Sequence, residues 1–425
     1  MTDREALYQA VLANPEDDLP RLVFADWLEE HGEGAYAAFI RVQCELARVP
    51  EYDVAWAKAR LDEDRWIHGV PFRRYLPELP EGVTWPDNVF HRGFPQSVMI
   101  WTVANTDFEA IIKLAPIRQI EFVPIFDNLT RNIERGRCID LYSSPLFRQI
   151  TRYCHYSSMF YEEQALAINR SRFLSPLLHL KLETDQIDLA NEAACHIMQR
   201  LQSLNIWSCS LDIWQSLIRA FSTMESSHLQ LLDLALEVDC WPELAELAQT
   251  PAGDSLTTLR LAGFPTLLNF SSAMTEQTAF PQLRSVAWTL CRALINDQHL
   301  PTPSVPRWKA LRLADMECTG PFIPFLLGAG DGLNGVVSLD IEEVDLRGKK
   351  KLTDLANSLH LSNLHELRLA HCKIGKEALA FATSKQLQNI VRLDLRDNPL
   401  SDIARQALRE RFGERVQFDE KETHS

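Results

Sequence analysis

The chain has 425 residues, of which 46% are hydrophobic, so it is long enough to bury a sizeable core. Its formal net charge is −15 at pH 7. Nucleic-acid binding requires a basic face that neutralises phosphates, and anionic membranes also attract basic segments. We therefore expect neither nucleic acid nor a membrane as a partner.

The N-terminal residues, MTDREALYQAV, lack the basic and apolar regions of a secretory signal. No later stretch has the apolar length of a membrane span. The nine cysteines include no C-x-x-C pair. These features predict a cytoplasmic protein with reduced thiols, no metal site and no cofactor.

The sequence pattern of residues 1–50 predicts three short helices. Thr2 and Glu5 form a capping box, and the stretch PEDDLPRLVFADWLEEHGEG provides acidic caps, apolar residues at helical spacing and a stop at Gly32. A third helix is expected in AYAAFIRVQCELARV. The acidic residues of this region suggest a metal site, but helix caps and a solvated helix face are the favoured interpretation.

The N-terminal sequence resembles the bacterial repeat-companion domain, a module known mainly from planctomycete-type proteins. The matching features are the N-P-x-D-D turn at 14–18, RLVFADWLEE at 21–30 and FIRVQCELA at 39–47. VFHRGFPQSVMI at 89–100 resembles the R-G-F segment that opens the repeat part of such proteins. The resemblance implies a repeat array downstream and no known catalytic activity.

Residues 51–88 form a connector, with one predicted helix in DVAWAKARLDEDRWI followed by a Pro-rich segment. This segment is expected to pack against the first strand because it carries Phe72, Tyr75, Leu76 and Trp85. Residues 89–176 read as irregular repeats. Ile117-R-Q-I-E-F fits a repeat well, whereas Phe147-R-Q-I-T-R fits poorly because Arg152 falls at an inward position.

Residues 177–418 contain a regular repeat. Nine segments match L-x-x-L-x-L and begin 24 to 28 residues apart, at Leu177, Leu201, Leu229, Leu256, Leu283, Trp308, Val336, Leu364 and Ile390. Positions four and six of each segment are expected to face inward on a short strand, and helical patterns follow most strands. Residues 419–425 form a charged tail.

This pattern resembles the leucine-rich repeat, in the longer class with helices on the convex side. The resemblance implies an α/β solenoid with a curved parallel sheet, preceded by the small helical module. One strand–helix unit cannot cover its own apolar face, whereas stacked units share a continuous core.

The pair His371–Cys372 suggests a metal ligand or a nucleophile with its base. Cys372, however, is the ninth residue of its repeat, a position that also holds Cys209, Cys291 and Asn398. In leucine-rich repeats Asn or Cys at this position turns inward, so a structural role is predicted. His371 is then expected at the surface.

The outward strand positions are the candidate binding surface, because such solenoids bind on the concave sheet. Their charges nearly alternate from residue 233 onward, which favours a ladder of mutually paired charges. The alternative is a protein-binding surface. Its candidate contact residues are Trp101, Tyr153, Trp207, Arg260, Arg312, Arg368, Arg392 and Arg396.

The predicted function is a non-catalytic scaffold that binds a protein partner on the concave face. One alternative is a regulator of one specific partner, similar to ribonuclease inhibitor. The other is an enzyme with a site in residues 100–170, where His155 is the candidate side chain. Charge reversal at Arg368 and Arg392 is expected to weaken partner binding without unfolding the chain.

Overall fold

The computed structural model describes residues 1–69, 72–101, 108–123, 145–156, 177–183, 197–236, 241–263, 279–289, 292–293, 307–315, 317–318 and 322–419. The chain divides into two compact units. Unit 1 contains Met1–Pro50 and Ala59–Ser208, and unit 2 contains Glu51–Lys58 and Cys209–Ser425.

Three helices form the predicted N-terminal module: α1 (Asp3–Ala13), α2 (Asp18–Glu30) and α3 (Gly34–Leu46). Their starts follow from the local sequence. The Thr2 hydroxyl accepts from the backbone N–H of Glu5, and the Glu5 carboxylate accepts from the backbone N–H of Thr2, which confirms the capping box. Asp17 caps α2, and Gly32 adopts a positive φ of 85° after its end.

The R-G-F segment attaches this module to the repeats. Phe94 is fully buried in the module's core. Gly93, with φ of 79°, passes so close to α3 that a Cβ atom there would lie 2.6 Å from the Cα of Ile40. Tyr36 donates its hydroxyl proton to the carbonyl of Gly93 at 3.0 Å. Only glycine combines this conformation with this approach.

The connector covers the first parallel strand as expected. After helix α4 (Val54–Gly69) the strand β1 (Val83–Thr84) pairs antiparallel with β4 (Ser97–Ile100). The hairpin of β2 (Phe90–His91) and β3 (Phe94–Pro95) lies between them in sequence. The connector strand therefore satisfies the backbone edge of the first repeat, while the module packs on Phe94.

Beyond β4, the strands of unit 1 run parallel and each pairs with the next. They are β5 (Gln119–Phe122), β6 (Arg152–Tyr156), β7 (His179–Glu183) and β8 (Ser203–Cys209), with helix α5 (Phe108–Leu114) after β4.

Unit 2 repeats the same arrangement. Its main sheet consists of β9 (Leu231–Leu236), β10 (Thr258–Gly263), β11 (Ser285–Thr289), β13 (Ala310–Ala314), β15 (Ser338–Glu342), β16 (Glu366–Ala370), β17 (Arg392–Asp394) and β18 (Val416–Gln417). Every pair between β9 and β18 is parallel. The short strands β12 (Arg292–Ala293) and β14 (Glu317–Cys318) form a separate parallel pair.

The described α-helices of unit 2 precede these strands or lie between them in sequence. They are α6 (Leu211–Ser222), α7 (Trp241–Leu247), α8 (Pro251–Ser255), α9 (Phe322–Leu327), α10 (Lys349–Ala356), α11 (Leu379–Thr383) and α12 (Asp402–Phe412). Among the described residues, no helix combines the length and apolarity needed to cross a membrane.

The repeat register confirms the predicted fold. Positions four and six of the nine regular segments are buried, for example Leu339 and Ile341 in β15 and Leu367 and Leu369 in β16. The same positions pair from strand to strand. The chain is thus an α/β leucine-rich-repeat solenoid with a helical N-terminal module.

Position nine has the predicted structural role. Asn398 is buried, and its side-chain oxygen accepts from the backbone N–H of Cys372 at 3.0 Å and of Ile374 at 2.9 Å. The buried Cys372 thiol donates to the carbonyl of Ala370 at 3.2 Å. Cys209 is buried as well. Cys291 lies outside the described residues.

The third repeat in chain order, which contains β6, is shifted from its predicted register by three residues. Tyr153 pairs with Ile120 and Leu180, and His155 with Phe122 and Leu182, so the segment begins at Ile150. The prediction that Arg152 faces inward and Tyr153 outward is wrong, because Tyr153 is buried and Arg152 exposed. Tyr153 and His155 replace the usual leucines, and their polar atoms lie 3.1 Å apart.

Candidate protein-binding surface

An aromatic group lies at the carboxyl ends of the strands of unit 1. Tyr156 pairs in register with Glu183, and Glu183 with Trp207, at position seven of successive repeats. The Trp207 side chain faces outward with a relative exposure of 49%. Trp101 occupies the equivalent place after β4 and donates its indole N–H to the hydroxyl of Thr84 at 2.8 Å.

Lys181 joins two of these aromatic rings. Its ammonium nitrogen lies 5.0 Å from the ring centroid of Trp207 and 4.9 Å from that of Tyr156. The same nitrogen donates to the Tyr156 hydroxyl at 3.2 Å. These contacts hold the exposed indole in one orientation through cation–π attraction. We call Tyr156, Lys181 and Trp207 the aromatic patch.

Sequence reasoning identified only part of this patch. Trp207 was predicted, whereas Tyr156 and Lys181 were not assigned to the surface contacts. Tyr156 was not predicted as a contact residue because the expected repeat register for β6 places Tyr153 in the outward position. Aligning Ile150 with Leu177 would have placed Tyr156 at position seven beside Glu183.

The outward charges of unit 2 form the predicted ladder over its last strands. Arg312 lies 2.8 Å from Glu342, and Arg368 contacts Asp340 at 3.1 Å and Glu342 at 3.2 Å. Asp394 then continues the ladder at 3.8 Å from Arg368. These opposite charges lie on adjacent strands in register, so they neutralise one another.

Arg392 is not available to a partner, which corrects its assignment as a contact residue. Its side chain is 5% exposed and lies 2.5 Å from Glu366 and 3.0 Å from Asp394. Arg396 is more exposed but also contacts Asp394, at 2.6 Å. Burial raises the pKa of Asp394, but the hydrogen bond from Arg396 and the charges of Arg392 and Arg396 outweigh it, so the net pKa is lowered.

Two other predicted arginines remain more accessible. The Arg312 side chain is 47% exposed despite its carboxylate partners. Arg260 contacts Glu51 at 3.4 Å, and both residues belong to unit 2. Exposed ion pairs of this kind contribute little to stability, so either guanidinium can exchange its partner at low free-energy cost.

The candidate nucleophile and acidic sites have structural explanations. Burial raises the pKa values of Cys44, Cys154 and Cys372 to about 12, which opposes thiolate formation at neutral pH. His371 is exposed, as predicted, and contacts Asp397 at 3.2 Å. His155 is fully buried in the core of unit 1.

The acidic residues of the N-terminal module act as caps and ion-pair partners. Asp17 caps α2, whereas Asp26 and Glu29 both contact Arg41, at 2.8 and 2.7 Å. Asp18 lies 2.8 Å from Arg48. Each described contact is with a protein donor, which agrees with the favoured interpretation of this cluster.

No protein-family model matches the chain, and no curated protein matches it. Solved structures do match. The crystal structure of the yeast Rad7–Elc1 complex is 13% identical, covers 96% of this chain and 84% of its own, and has a TM-score of 0.35. A leucine-rich repeat protein of Leptospira interrogans is 13% identical over 72% of this chain and 90% of its own, with a TM-score of 0.28.

The leucine-rich repeat domain of APL1B is 12% identical and covers 73% of this chain and 74% of its own, with a TM-score of 0.25. Likeness at these TM-scores and identities carries no argument about function. The fold assignment follows from the strand register and the buried leucine positions of the chain itself.

Proposed function

We propose that this protein is a non-catalytic scaffold that binds a protein partner through the aromatic patch of unit 1. The observation that carries the proposal is the exposed indole of Trp207, held by Lys181 beside Tyr156. Tryptophan and tyrosine dominate the binding energy of many protein interfaces, because they bury a large area with few rotatable bonds.

The open sheet supports this proposal energetically. The strands that carry the patch are parallel and paired in register. A preformed surface loses little conformational entropy on binding, so more of the contact energy appears as affinity. The exposed guanidinium groups of Arg260 and Arg312 are proposed as secondary contacts for acidic side chains of a partner.

We also infer that residues 1–50 are a repeat-companion module whose function is to start the repeat array. The proposed boundaries are a connector at 51–88, irregular repeats at 89–176, regular repeats at 177–418 and a tail from 419. The burial of Phe94 in the module's core supports a joint fold of the module and the first repeat. A cytoplasmic location remains part of the proposal.

The test compares three tagged proteins in the native host: the wild type, Trp207→Ala and Leu19→Ala. Leu19 is an exposed apolar residue of the helical module and serves as the matched control. A partner that copurifies with the wild type and with Leu19→Ala is then purified and titrated against all three. Trp207→Ala is expected to weaken its binding about 30-fold, as for an interface hot spot.

Equal affinity of the wild type and Trp207→Ala would reject the aromatic patch as the binding site. The stoichiometry separates the remaining alternatives. A single one-to-one complex would indicate a regulator of one partner, whereas several partners that compete for the same residues would indicate a general scaffold.

A further inference from the structure

A second surface of unit 1 lies at the opposite ends of its strands. A groove of about 700 Å³ runs along the amino-terminal ends of β4 to β7 and reaches Gln202, just before β8. Residues 88–92, which include β2, form its other wall. With neighbouring strands about 4.8 Å apart, the groove is roughly 15 to 20 Å long.

The groove is cationic although the protein as a whole is acidic. Its charged lining residues are Arg92, Arg118, Arg152 and Glu16, which give a net charge of +2. Its uncharged polar lining residues include Gln96, Ser97, Gln119, Thr151 and Gln202, which can both donate and accept hydrogen bonds. Ser97 and Gln119 donate theirs to Glu121.

The three arginines differ in their partners. Arg92 lies 3.5 Å from Asp18, and Arg118 lies 2.6 Å from Glu16. Arg152 is the most exposed of the three, although burial lowers the pKa of its guanidinium, and it has no ion-pair partner among the described residues. Glu16 itself is 64% exposed, so its carboxylate can move into solvent. Arg118 is only 14% exposed, so its guanidinium would need an incoming anion as its new partner.

Two histidines add uncharged polar side chains to the groove. Burial, together with the positive charge of Arg152, lowers the pKa values of His91 and His179 to about 4, so both are neutral at pH 7. Three buried nitrogens of the lining residues have no hydrogen-bond partner among the described protein groups: His91 Nδ1, Arg92 Nε and Arg118 Nε. The two arginine Nε–H groups are donors, and unsatisfied buried donors cost free energy, so a bound acceptor would offset part of that cost.

We propose that this groove binds a phosphate-type oxyanion through Arg152 and Arg118, with Glu16 as a built-in competitor for Arg118. Guanidinium groups bind phosphate oxygens with charge-assisted, often bidentate hydrogen bonds. A dianion matches the net charge of +2 in the groove. The Glu16 carboxylate already occupies a position where Arg118 binds an oxyanion.

This site is separate from the aromatic patch, so the two proposals fail independently. The phosphate group has two sources, a phosphorylated side chain of another protein or a small phosphorylated molecule. Three probes distinguish them: inorganic phosphate, a Gly-phosphoserine-Gly tripeptide and the same tripeptide without the phosphate.

The test titrates each probe by calorimetry into the full-length wild type, Arg152→Gln, Glu16→Gln and Lys113→Gln. Lys113 is an exposed cation of α5 outside the groove and is the matched control. The phosphorylated probes are expected to bind the wild type and the control equally. Arg152→Gln is expected to weaken binding about tenfold or more, and Glu16→Gln to strengthen it several-fold.

Tighter binding of the tripeptide than of inorganic phosphate would identify a phosphorylated side chain as the source. Equal or weaker binding would identify a small phosphorylated molecule. A gain of affinity in Glu16→Gln cannot arise from misfolding. The proposal is overturned if neither phosphorylated probe binds saturably, if the unphosphorylated tripeptide binds as tightly, or if Arg152→Gln keeps the wild-type affinity.

The variant Trp207→Ala tests whether phosphate binding in the groove is independent of the aromatic patch. It is expected to bind the phosphorylated probes as the wild type does, because Trp207 lies at the carboxyl end of β8, away from the groove lining. Loss of phosphate binding in Trp207→Ala would overturn the assignment to the groove.

Discussion

The side-chain oxygen of Asn398 accepts a hydrogen bond from the backbone N–H of Cys372, one repeat earlier, at 3.0 Å. Its side-chain nitrogen donates to the carbonyl of Leu369 at 2.6 Å. One amide thus satisfies backbone groups of two neighbouring repeats that the sheet leaves unpaired. Cys372, which suggested a nucleophile in the sequence, is thus one of the residues whose backbone Asn398 binds.

Asn398→Ala is expected to lower the free energy of unfolding by about 2 to 4 kcal/mol, because it leaves several buried backbone groups without partners. Urea unfolding measures the change. Asn389→Ala is the control, since Asn389 is exposed and donates one hydrogen bond to the carbonyl of Ser362. Similar losses in both variants would contradict the structural role of position nine.

Gly93→Ala is expected to destabilise unit 1 by roughly 2 kcal/mol or more. The added Cβ would clash with the backbone of Ile40, and φ at this position is positive. Gly34→Ala is the matched control, because an added Cβ there meets no atom within 4 Å. Thermal unfolding of both variants tests this, and equal midpoints would show that the R-G-F segment tolerates a side chain.

Arg392→Met is expected to cost about 3 to 5 kcal/mol, since Glu366 and Asp394 would lose the arginine between them in a buried environment. This corrects the expectation that charge reversal at Arg392 leaves the fold intact. Arg312→Met, at an exposed rung of the same ladder, is expected to cost about 0 to 1 kcal/mol. Chemical denaturation separates the two, and a neutral Arg392→Met would contradict the buried pair.

Asp394 is expected to make stability depend on pH. Its folded pKa is lowered, so its contribution is complete above the unfolded pKa of about 4 and is lost as the pH falls through the folded value. The difference in unfolding free energy between the wild type and Asp394→Asn should therefore be largest near pH 7 and shrink below about pH 4. Denaturant titrations from pH 7 to pH 3 measure it, and a difference that grows in acid would refute the assignment.

Cys44, Cys154 and Cys372 are expected to resist alkylation in the folded protein. Burial raises their pKa values to about 12, so the reactive thiolate is scarce at pH 8. Iodoacetamide followed by peptide mass spectrometry measures the modification at each site. The same reaction in guanidinium is the control, and equal rates at Cys372 in both conditions would reopen its role as a nucleophile.

The capping box at Thr2 was predictable because it depends on contacts within one helical turn. The structural role of Cys372 was predictable because it follows from the position of this residue in the repeat. The register of β6 was not, because Tyr153 and His155 stand where the template expects leucine. The Tyr153 hydroxyl and His155 Nδ1 lie within hydrogen-bond distance, which lowers the free-energy cost of burying two polar side chains. This contact forms only in the folded sheet. The wrong register for β6 also prevented the prediction that Arg152 and Tyr156 face outward.

The amino-acid sequence by itself determined the solenoid, because leucines at a constant period can be buried only by stacking one repeat on the next. The tertiary structure alone decided which charged groups remain available. Adjacent strands place Arg392 between two carboxylates and leave Arg152 exposed without an ion pair among the described residues. Charge pairing depends on distances across strands, and such distances are set by register and burial in three dimensions.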